Sequence, residues 1–95
     1  MTVAIVLITI ERAKVDEVAQ SLLEEPGVAE VYSVAGQWDL VAVLRTGTNE
    51  EIADVMTGHI RKIPYIIRTE TLMAFKTYSR KDMGAMFSIG NEEPK

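Results

Sequence analysis

The sequence predicts an α+β domain with the element order βαββαβ. Runs rich in β-branched residues alternate with stretches in which apolar residues recur every three to four positions, and these are the patterns of strands and of amphipathic helices. A coarse repeat supports the order, because the succession of helix, Pro26 and strand returns about 38 residues later as helix, Pro64 and strand. At 95 residues the chain is long enough for one such domain with a single core.

The first strand and the first helix are predicted within residues 3–25. Residues 3–10 are apolar at both parities and rich in β-branched side chains, so we expect this strand to be buried on both faces. Pro26 and Gly27 are expected to end the helix that follows at residues 11–25. The apolar stripe of that helix has amphipathic spacing and consists of Val15, Val18, Ala19, Leu22 and Leu23.

A hairpin and the start of a second helix come next. Strands are predicted at residues 28–35 and 39–46, and we expect them to pair around the connection Gly36-Gln37-Trp38. Thr48, followed three residues later by Glu51, matches the capping-box pattern and opens the second helix.

The second helix leads into the last predicted strand. Pro64 is expected to end this helix, and residues 66–78 read as a fourth, longer strand. The stripe of the second helix is made by Ile52, Val55, Met56, His59, Ile60 and Ile63.

Two split βαβ units with right-handed crossovers give a ferredoxin-like fold, a four-stranded antiparallel sheet with both helices on one face. The other face would then have no cover from its own chain. Because the first and third strands are apolar on both faces, this face would be a large exposed apolar patch in a monomer. We therefore expect a homodimer formed sheet to sheet.

Composition argues against several classes of function. The chain has no cysteine, so it offers no disulfide and no thiolate ligand or nucleophile. Its net charge is −4 and its basic residues are scattered, so no direct nucleic-acid partner is expected. No apolar run approaches the roughly 18 residues that span a membrane, and the apolar N-terminus has a strand pattern without the features of a signal peptide. The expected location is the cytoplasm, with no membrane partner and no cofactor.

Two stretches of the sequence are specific enough to identify a family resemblance. Residues 31–39 read Val-Tyr-x-Val-x-Gly-x-x-Asp and residues 68–71 read Arg-Thr-Glu-Thr. Over residues 1–79 the chain resembles the effector domain of the Lrp/AsnC (feast/famine) transcriptional regulators, also called the RAM domain. The resemblance implies a ferredoxin-like dimer, assembly of dimers into rings such as octamers, and amino-acid binding between dimers. Tyr65 departs from the pattern, because many members carry glycine after the proline.

The resemblance also bears on domain organisation. In family members with both halves, a DNA-binding helix-turn-helix precedes the effector domain. This chain begins at the first predicted strand, so a stand-alone member is expected.

The turn between the second and third strands is the predicted ligand site. Gly36 leaves backbone amides approachable, and Asp39 can accept hydrogen bonds from a ligand ammonium group, a pairing that suits a zwitterion. Both residue types are also common turn formers. Thr69 and Thr71 lie on one face of the last strand, where their hydroxyls could together bind a carboxylate. The alternative is that they reflect only the high β-propensity of threonine. The predicted ligand-binding residues are Tyr32, Gly36, Gln37, Trp38, Asp39, Thr69 and Thr71.

Structural roles are the more economical interpretation for three further polar residues. His59 lies on the apolar stripe of the second helix, so we expect a packing histidine of the core or of an interface. No cluster of His, Cys or paired carboxylates has a spacing that suits a metal. Arg68 and Glu70 alternate with the two threonines along the strand, so they lie on its opposite face. We expect that face to be solvated, and the alternative is that the two residues pair across a subunit boundary.

Residues 80–95 are predicted to form a C-terminal tail. Met83, Met86 and Phe87 have i, i+3, i+4 spacing, which would give a short helix with one apolar face. We expect this face to pack on a neighbouring subunit and the last residues to be disordered.

The function expected from the sequence is that of an amino-acid-binding regulatory homo-oligomer without a DNA-binding half. Full-length regulators of the same family are further expected partners, and no enzyme activity is expected. Two alternatives remain open. One is a small dimeric ferredoxin-like enzyme of the monooxygenase or isomerase type, with His59 and Trp38 at its reactive centre. The other is a pure assembly scaffold.

Overall fold

The computed structural model describes residues 1–80, which form one four-stranded sheet and two α-helices. The elements are β1 (Thr2–Ile10), α1 (Val15–Leu23), β2 (Val28–Ser33), β3 (Leu40–Thr46), α2 (Asn49–Gly58), a 3₁₀ turn (Ile60–Lys62) and β4 (Ile66–Met73). The strand order across the sheet is β2-β3-β1-β4, and each neighbouring pair is antiparallel. The predicted ferredoxin-like order and the predicted β2–β3 hairpin are confirmed.

Both helices pack on one face of the sheet, which we call the helix side. Alternate residues of the two central strands meet apolar residues of the helices there, and all of them are buried. The main contributors are Ala4, Val6, Ile8, Ile10, Leu40, Ala42 and Leu44 from the sheet and Val18, Leu22, Ile52 and Val55 from the helices. No polar or charged side chain of residues 1–80 is buried among them, so the core is apolar throughout.

The opposite face of the sheet, which we call the outer face, carries no helix from residues 1–80. Its central positions are apolar and only partly buried, and Leu72 at its margin is 44% exposed. Ile5 lies in the middle of this face, between Val43 of β3 and Leu72 of β4. The predicted two-sided apolar character of the first and third strands is therefore confirmed, and residues 1–80 leave one apolar face uncovered.

The first helix begins at Val15 and not at residue 11 as predicted. The residues before it form a turn in which the N–H of Lys14 donates to the carbonyl of Glu11 at 3.2 Å and Ala13 adopts a φ of 67°. Val15 is the first residue of the apolar stripe. Because helices in proteins are stabilised mainly by packing of their apolar face, the polar residues ahead of Val15 have little to hold them in the helix.

The last strand ends at Met73, whereas the sequence predicts a strand to residue 78. The ladder with β1 ends soon afterwards, because the N–H of Ala74 donates to the carbonyl of Val3 at 2.8 Å and β1 begins only one residue before Val3. In this register only Thr2 and Met1 remain beyond Val3, opposite Phe75 and Lys76, so a strand to residue 78 would run past the end of its partner. The side chain of Phe75 is fully exposed. The strand length is thus set by the partner strand rather than by local preference.

The predicted tail helix with Met83, Met86 and Phe87 lies outside the described residues, so its docking stays a prediction. Within residues 1–80, neither helix has the length and apolar character needed to cross a membrane.

Candidate functional site

The predicted ligand site is the connection between β2 and β3. It is longer than the sequence predicts, because β2 ends at Ser33 and β3 begins at Leu40. Gly36 adopts a φ of 125°, in the region that favours glycine, and a Cβ added there would meet no atom within 4 Å. Both Gly36 and Gln37 are exposed. The connection is therefore exposed at residues 36 and 37, and the half-buried Trp38 separates them from Asp39.

Asp39 joins this turn to the end of β1. Its carboxylate Oδ2 accepts a hydrogen bond from the backbone N–H of Ile10 at 2.8 Å, and its own N–H donates to the carbonyl of Ile8 at 2.8 Å. The residue is half-buried, and within residues 1–80 no hydrogen bond is donated to its Oδ1. One carboxylate oxygen is thus used by the fold, while the other accepts no hydrogen bond from residues 1–80.

A cation–π contact joins the turn to β4. The guanidinium of Arg68 lies over the ring of Trp38, 4.5 Å from its centroid. A bulge in β4 positions the arginine, because Thr9 pairs with Arg68 while the next residue, Ile10, pairs with Ile66. Ile66 therefore packs against the core, and Arg68 lies beside Thr9 on the outer face.

The Arg68–Trp38 contact is missed by sequence reasoning, which predicts for Arg68 a solvated strand face or, as the alternative, a pair across a subunit boundary. A usable signal does exist in the predicted topology. The last strand runs antiparallel to the first, so the beginning of β4 lies beside the end of β1, and the β2–β3 turn lies on the other side of that same end.

Tyr32 belongs to a separate polar group at the β2 edge of the outer face. It pairs with Val41 across the hairpin, and its hydroxyl donates to Glu30 Oε1 at 2.9 Å. Arg45 Nη1 lies 4.0 Å from the same oxygen. The hydrogen bond to the Glu30 carboxylate, together with its negative charge, raises the pKa of Tyr32 above its ordinary value. The phenol is therefore a hydrogen-bond donor at neutral pH.

Thr69 and Thr71 share one face of β4, as the parity of the strand predicts, but this face is the helix side. They pair with Ile8 and Val6, whose side chains are buried in the core. Tyr32 lies on the outer face instead. A single chain therefore does not bring the two threonines to the same face as Tyr32.

A cleft of about 360 Å³ lies elsewhere, between α2 and the turn that leads from α1 to β2. Its lining consists of Pro26, Gly27, Thr46, Glu51, Asp54, Val55 and His59, which includes none of the predicted ligand-binding residues.

His59 does not lie in the core of the chain, so the predicted core position is wrong, while a position in an interface stays a prediction. The α-helix ends at Gly58, and the 3₁₀ turn Ile60–Lys62 changes the spacing, so that Ile60 is buried while His59 is exposed. His59 Nδ1 lies 2.8 Å from Oε1 of Glu25, which links the end of α2 to the end of α1. Within residues 1–80, no three His, Asp or Glu side chains are grouped so as to hold a metal ion.

Comparisons with known proteins agree on a single family for this chain. The model of the family described as the Lrp/AsnC ligand binding domain matches residues 3–83. The HTH-type transcriptional regulator FL11 of Pyrococcus horikoshii is 33% identical over 75 residues, which are 79% of this chain and 49% of that protein. The chain spans less than half the length of the curated relatives it matches, between 41% and 49%.

Solved structures agree with this result. TTHA0845 from Thermus thermophilus is 44% identical with a TM-score of 0.78, over 83% of this chain and 99% of that chain. The transcriptional regulator NMB0573 of Neisseria meningitidis, solved as a complex with L-Met, has a TM-score of 0.72 at 14% identity, over 82% of this chain and 52% of that chain. At that identity the likeness shows the fold alone. The curated relatives are transcriptional regulators and not enzymes, and this chain belongs to the Lrp/AsnC ligand-binding domain family.

Proposed function

We propose that this chain binds an amino acid or a related small metabolite at the turn between β2 and β3, and that it does so within a homo-oligomer. The observation that carries the proposal is Oδ1 of Asp39, to which no group in residues 1–80 donates a hydrogen bond, beside the exposed turn at Gly36. Membership of a ligand-binding domain family supports a ligand at some site. The L-Met complex of NMB0573, a regulator with the same fold, supports an amino acid as its class.

Asp39 is the proposed anchor for the α-ammonium group of the ligand. A charge-assisted hydrogen bond from an ammonium to a carboxylate is roughly twice as strong as a neutral one. The bond from Ile10 already fixes the orientation of the Asp39 side chain, so little conformational entropy is lost when the ligand binds.

The other predicted residues have proposed supporting roles. Gly36 and Gln37 offer backbone and amide hydrogen bonds, and the aromatic rings of Tyr32 and Trp38 act as walls. Thr69 and Thr71 lie on the helix side in their own chain, so a ligand bound at the turn would meet them only through a neighbouring subunit.

The proposed assembly begins with a dimer that packs two outer faces together. Obligate interfaces of this kind bury on the order of 2,000 Å² or more, and the apolar outer face centred on Ile5 supplies suitable surface. Dimers then form a ring such as an octamer, in which a neighbouring dimer closes over the turn. We propose that the ligand changes this assembly or its mixing with full-length Lrp/AsnC regulators. Such changes would regulate transcription or amino-acid metabolism.

Thermal unfolding in the presence of each of the twenty amino acids tests the binding proposal. A ligand at a hundred times its Kd stabilises the native state by about 2.7 kcal/mol, which gives a clear rise in Tm. Asp39→Asn keeps an oxygen to accept the Ile10 bond but removes the charge. The variant should unfold at the wild-type temperature without ligand and lose nearly all of the ligand-dependent rise.

Asp54→Asn is the matched control, because it removes an exposed aspartate that lines the separate cleft at α2. It should keep the full rise in Tm. If Asp54→Asn loses the ligand-dependent rise in Tm and Asp39→Asn keeps it, the ligand binds in that cleft and not at the turn. If no amino acid raises the Tm of the wild type, a pure scaffold becomes the better interpretation.

A further inference from the structure

We infer that Arg68 binds the α-carboxylate of the amino acid whose ammonium group Asp39 binds. This inference rests on the function proposed above and adds a second charged anchor to the same site.

Opposite charges flank the end of β1. On the β3 side, the carboxylate of Asp39 is bonded to the N–H of Ile10. On the β4 side, Arg68 pairs with Thr9, the residue before Ile10. Neighbouring strands lie about 4.8 Å apart, and the guanidinium reaches across β1 to the ring of Trp38, the residue before Asp39. Both charged groups are therefore at one end of the sheet, on the two sides of β1.

These two charges do not neutralise each other. Within residues 1–80 the ion pairs join Lys14 to Glu17, Arg45 to Glu30 and His59 to Glu25, and neither Asp39 nor Arg68 takes part in one. An amino acid has the complementary arrangement, with an ammonium group for Asp39 and a carboxylate for Arg68. Its binding would satisfy both charges at once.

The stacking on Trp38 suits Arg68 to this role. An arginine that stacks by its flat face keeps its N–H groups, which lie in the plane, free for a carboxylate. Two parallel N–H···O bonds are the preferred geometry for such a pair. Because the ring already restrains the side chain, less entropy is lost on binding than for a freely moving arginine. Trp38 is thus a positioning residue for Arg68.

The two threonines are less well placed for the carboxylate of a ligand held by the same chain. Thr69 and Thr71 pair with the buried residues Ile8 and Val6 on the helix side, whereas Arg68 lies with Thr9 on the outer face. The topology thus favours Arg68 as the partner of Asp39 within one chain.

Binding of paired acids and amides tests the inference. The probes are the twenty L-amino acids, together with the primary α-amide of each one that binds the wild type, measured by isothermal titration calorimetry. The amide keeps the ammonium group and the side chain but has no carboxylate charge. Wild type should bind the acid about 10- to 100-fold more tightly than the amide. Arg68→Met should bind the two within about threefold of each other, with a Kd close to that of wild type for the amide.

Three further variants complete the test. Arg61→Met removes an exposed arginine on the 3₁₀ turn and should keep the wild-type ratio of acid to amide. Arg68→Lys keeps the charge without the flat stacking surface and should give an intermediate ratio, which also covers the case that Arg68→Met fails to fold. The double variant Thr69→Val, Thr71→Val should retain the preference for the acid.

Each outcome has a definite meaning. If Arg68→Met and Arg68→Lys bind with the wild-type ratio, the assignment of Arg68 is wrong while the proposed function stands. If the threonine variant alone loses the preference, the carboxylate belongs to the threonines. If wild type binds none of the twenty amino acids, the proposed function is wrong and this inference falls with it.

Discussion

Tyr65 immediately precedes β4 and has a left-handed backbone, with a φ of 76°. Bulky residues adopt such angles rarely, at a cost of about 1–3 kcal/mol. Two contacts hold it there, since its carbonyl accepts a hydrogen bond from the N–H of Glu11 at 2.9 Å and Lys14 Nζ lies 4.7 Å from its ring centroid. Many family members carry glycine at this position, and the tyrosine keeps the conformation that glycine would adopt without strain.

A pair of substitutions isolates the backbone cost at Tyr65. Both Tyr65→Gly and Tyr65→Ala remove the ring, but only alanine retains a Cβ at the positive φ. Tyr65→Gly should therefore have a free energy of unfolding about 1 kcal/mol higher than that of Tyr65→Ala in urea titrations. Ala53, an exposed position in α2, supplies the control. There Ala53→Gly should have a free energy of unfolding about 1 kcal/mol lower than that of the wild type, which is the opposite order of glycine and alanine. Equal stability of the two Tyr65 variants would show that the turn relaxes and stores no strain.

Sequence reasoning at the residue scale works where a role depends on near neighbours in the chain. Gly36 and Asp39 are recognisable because a turn needs these residue types. Gly36 lies in the connection as predicted, and Asp39, predicted as the first residue of the third strand, lies at the end of the connection. The predicted core position of His59 is wrong because the α-helix ends at Gly58 and a 3₁₀ turn follows, so helical periodicity no longer applies there. Arg68 acquires its contact with Trp38 through pairing of distant strands, which local pattern does not encode.

The start of α2 is the element boundary with the clearest local cause. Thr48 Oγ1 accepts a hydrogen bond from the N–H of Glu51 at 3.1 Å. In return, Glu51 Oε1 accepts from the N–H groups of Gly47 and Thr48 at 2.7 and 3.3 Å. The predicted capping box is thus confirmed, and it satisfies backbone donors that a helix start otherwise leaves unpaired.

Removal of the cap should destabilise the domain measurably. Thr48→Ala deletes the oxygen that accepts the Glu51 N–H and should lower the free energy of unfolding by about 1 kcal/mol in chemical denaturation. Thr57→Ala is the matched control, because the Thr57 hydroxyl only donates to the carbonyl of Ala53 inside the helix. Since alanine is the better helix former, that variant should change stability by no more than about 0.5 kcal/mol. If both variants lose stability equally, the capping box is not what fixes the start of α2.

Other element boundaries depend on tertiary contacts and could not be predicted from local sequence. Helix α1 begins at Val15, the first residue of its apolar stripe and the first to pack against the core, and not at residue 11. Strand β4 ends at Met73, and it could not extend to residue 78 because the chain before β1 is too short to pair with it. Patterns of residue type indicate which elements exist, while the neighbouring elements decide where some of them end.

At the scale of the whole molecule, the apolar outer face is the feature that a single chain does not explain. Ile5→Glu tests it, because Ile5 lies between Val43 and Leu72 and faces away from the core. An ionised carboxylate there would be buried between two sheets in the proposed dimer, at a cost far larger than the loss of the isoleucine contacts. Light scattering should show the variant at 10.6 kDa, the mass of one chain, with its far-ultraviolet circular dichroism unchanged.

Leu23→Glu supplies the comparison for Ile5→Glu. Leu23 is an exposed apolar residue of α1 and lies away from the outer face. This variant should remain at least dimeric. If Ile5→Glu keeps the wild-type mass, the outer face is not the dimer interface.

The sequence predicts the overall architecture well, because the repeat around Pro26 and Pro64, the apolar first and third strands and the capping box all agree with one topology. The candidate site is only partly predictable in the same way. Its turn is local, but the threonines face the helix side and Arg68 faces the outer side, and this division depends on strand register and on the bulge in β4.

Native mass spectrometry of the wild-type protein, incubated with the mixture of twenty amino acids, tests most directly whether an assembly of this chain is an amino-acid-binding unit. One spectrum reports both the number of chains and the bound small molecule. We expect masses at even multiples of the 10.6 kDa chain, each carrying a single species of amino acid in proportion to the number of chains. Chains observed singly at 10.6 kDa, or assemblies with no amino acid bound, would contradict the account.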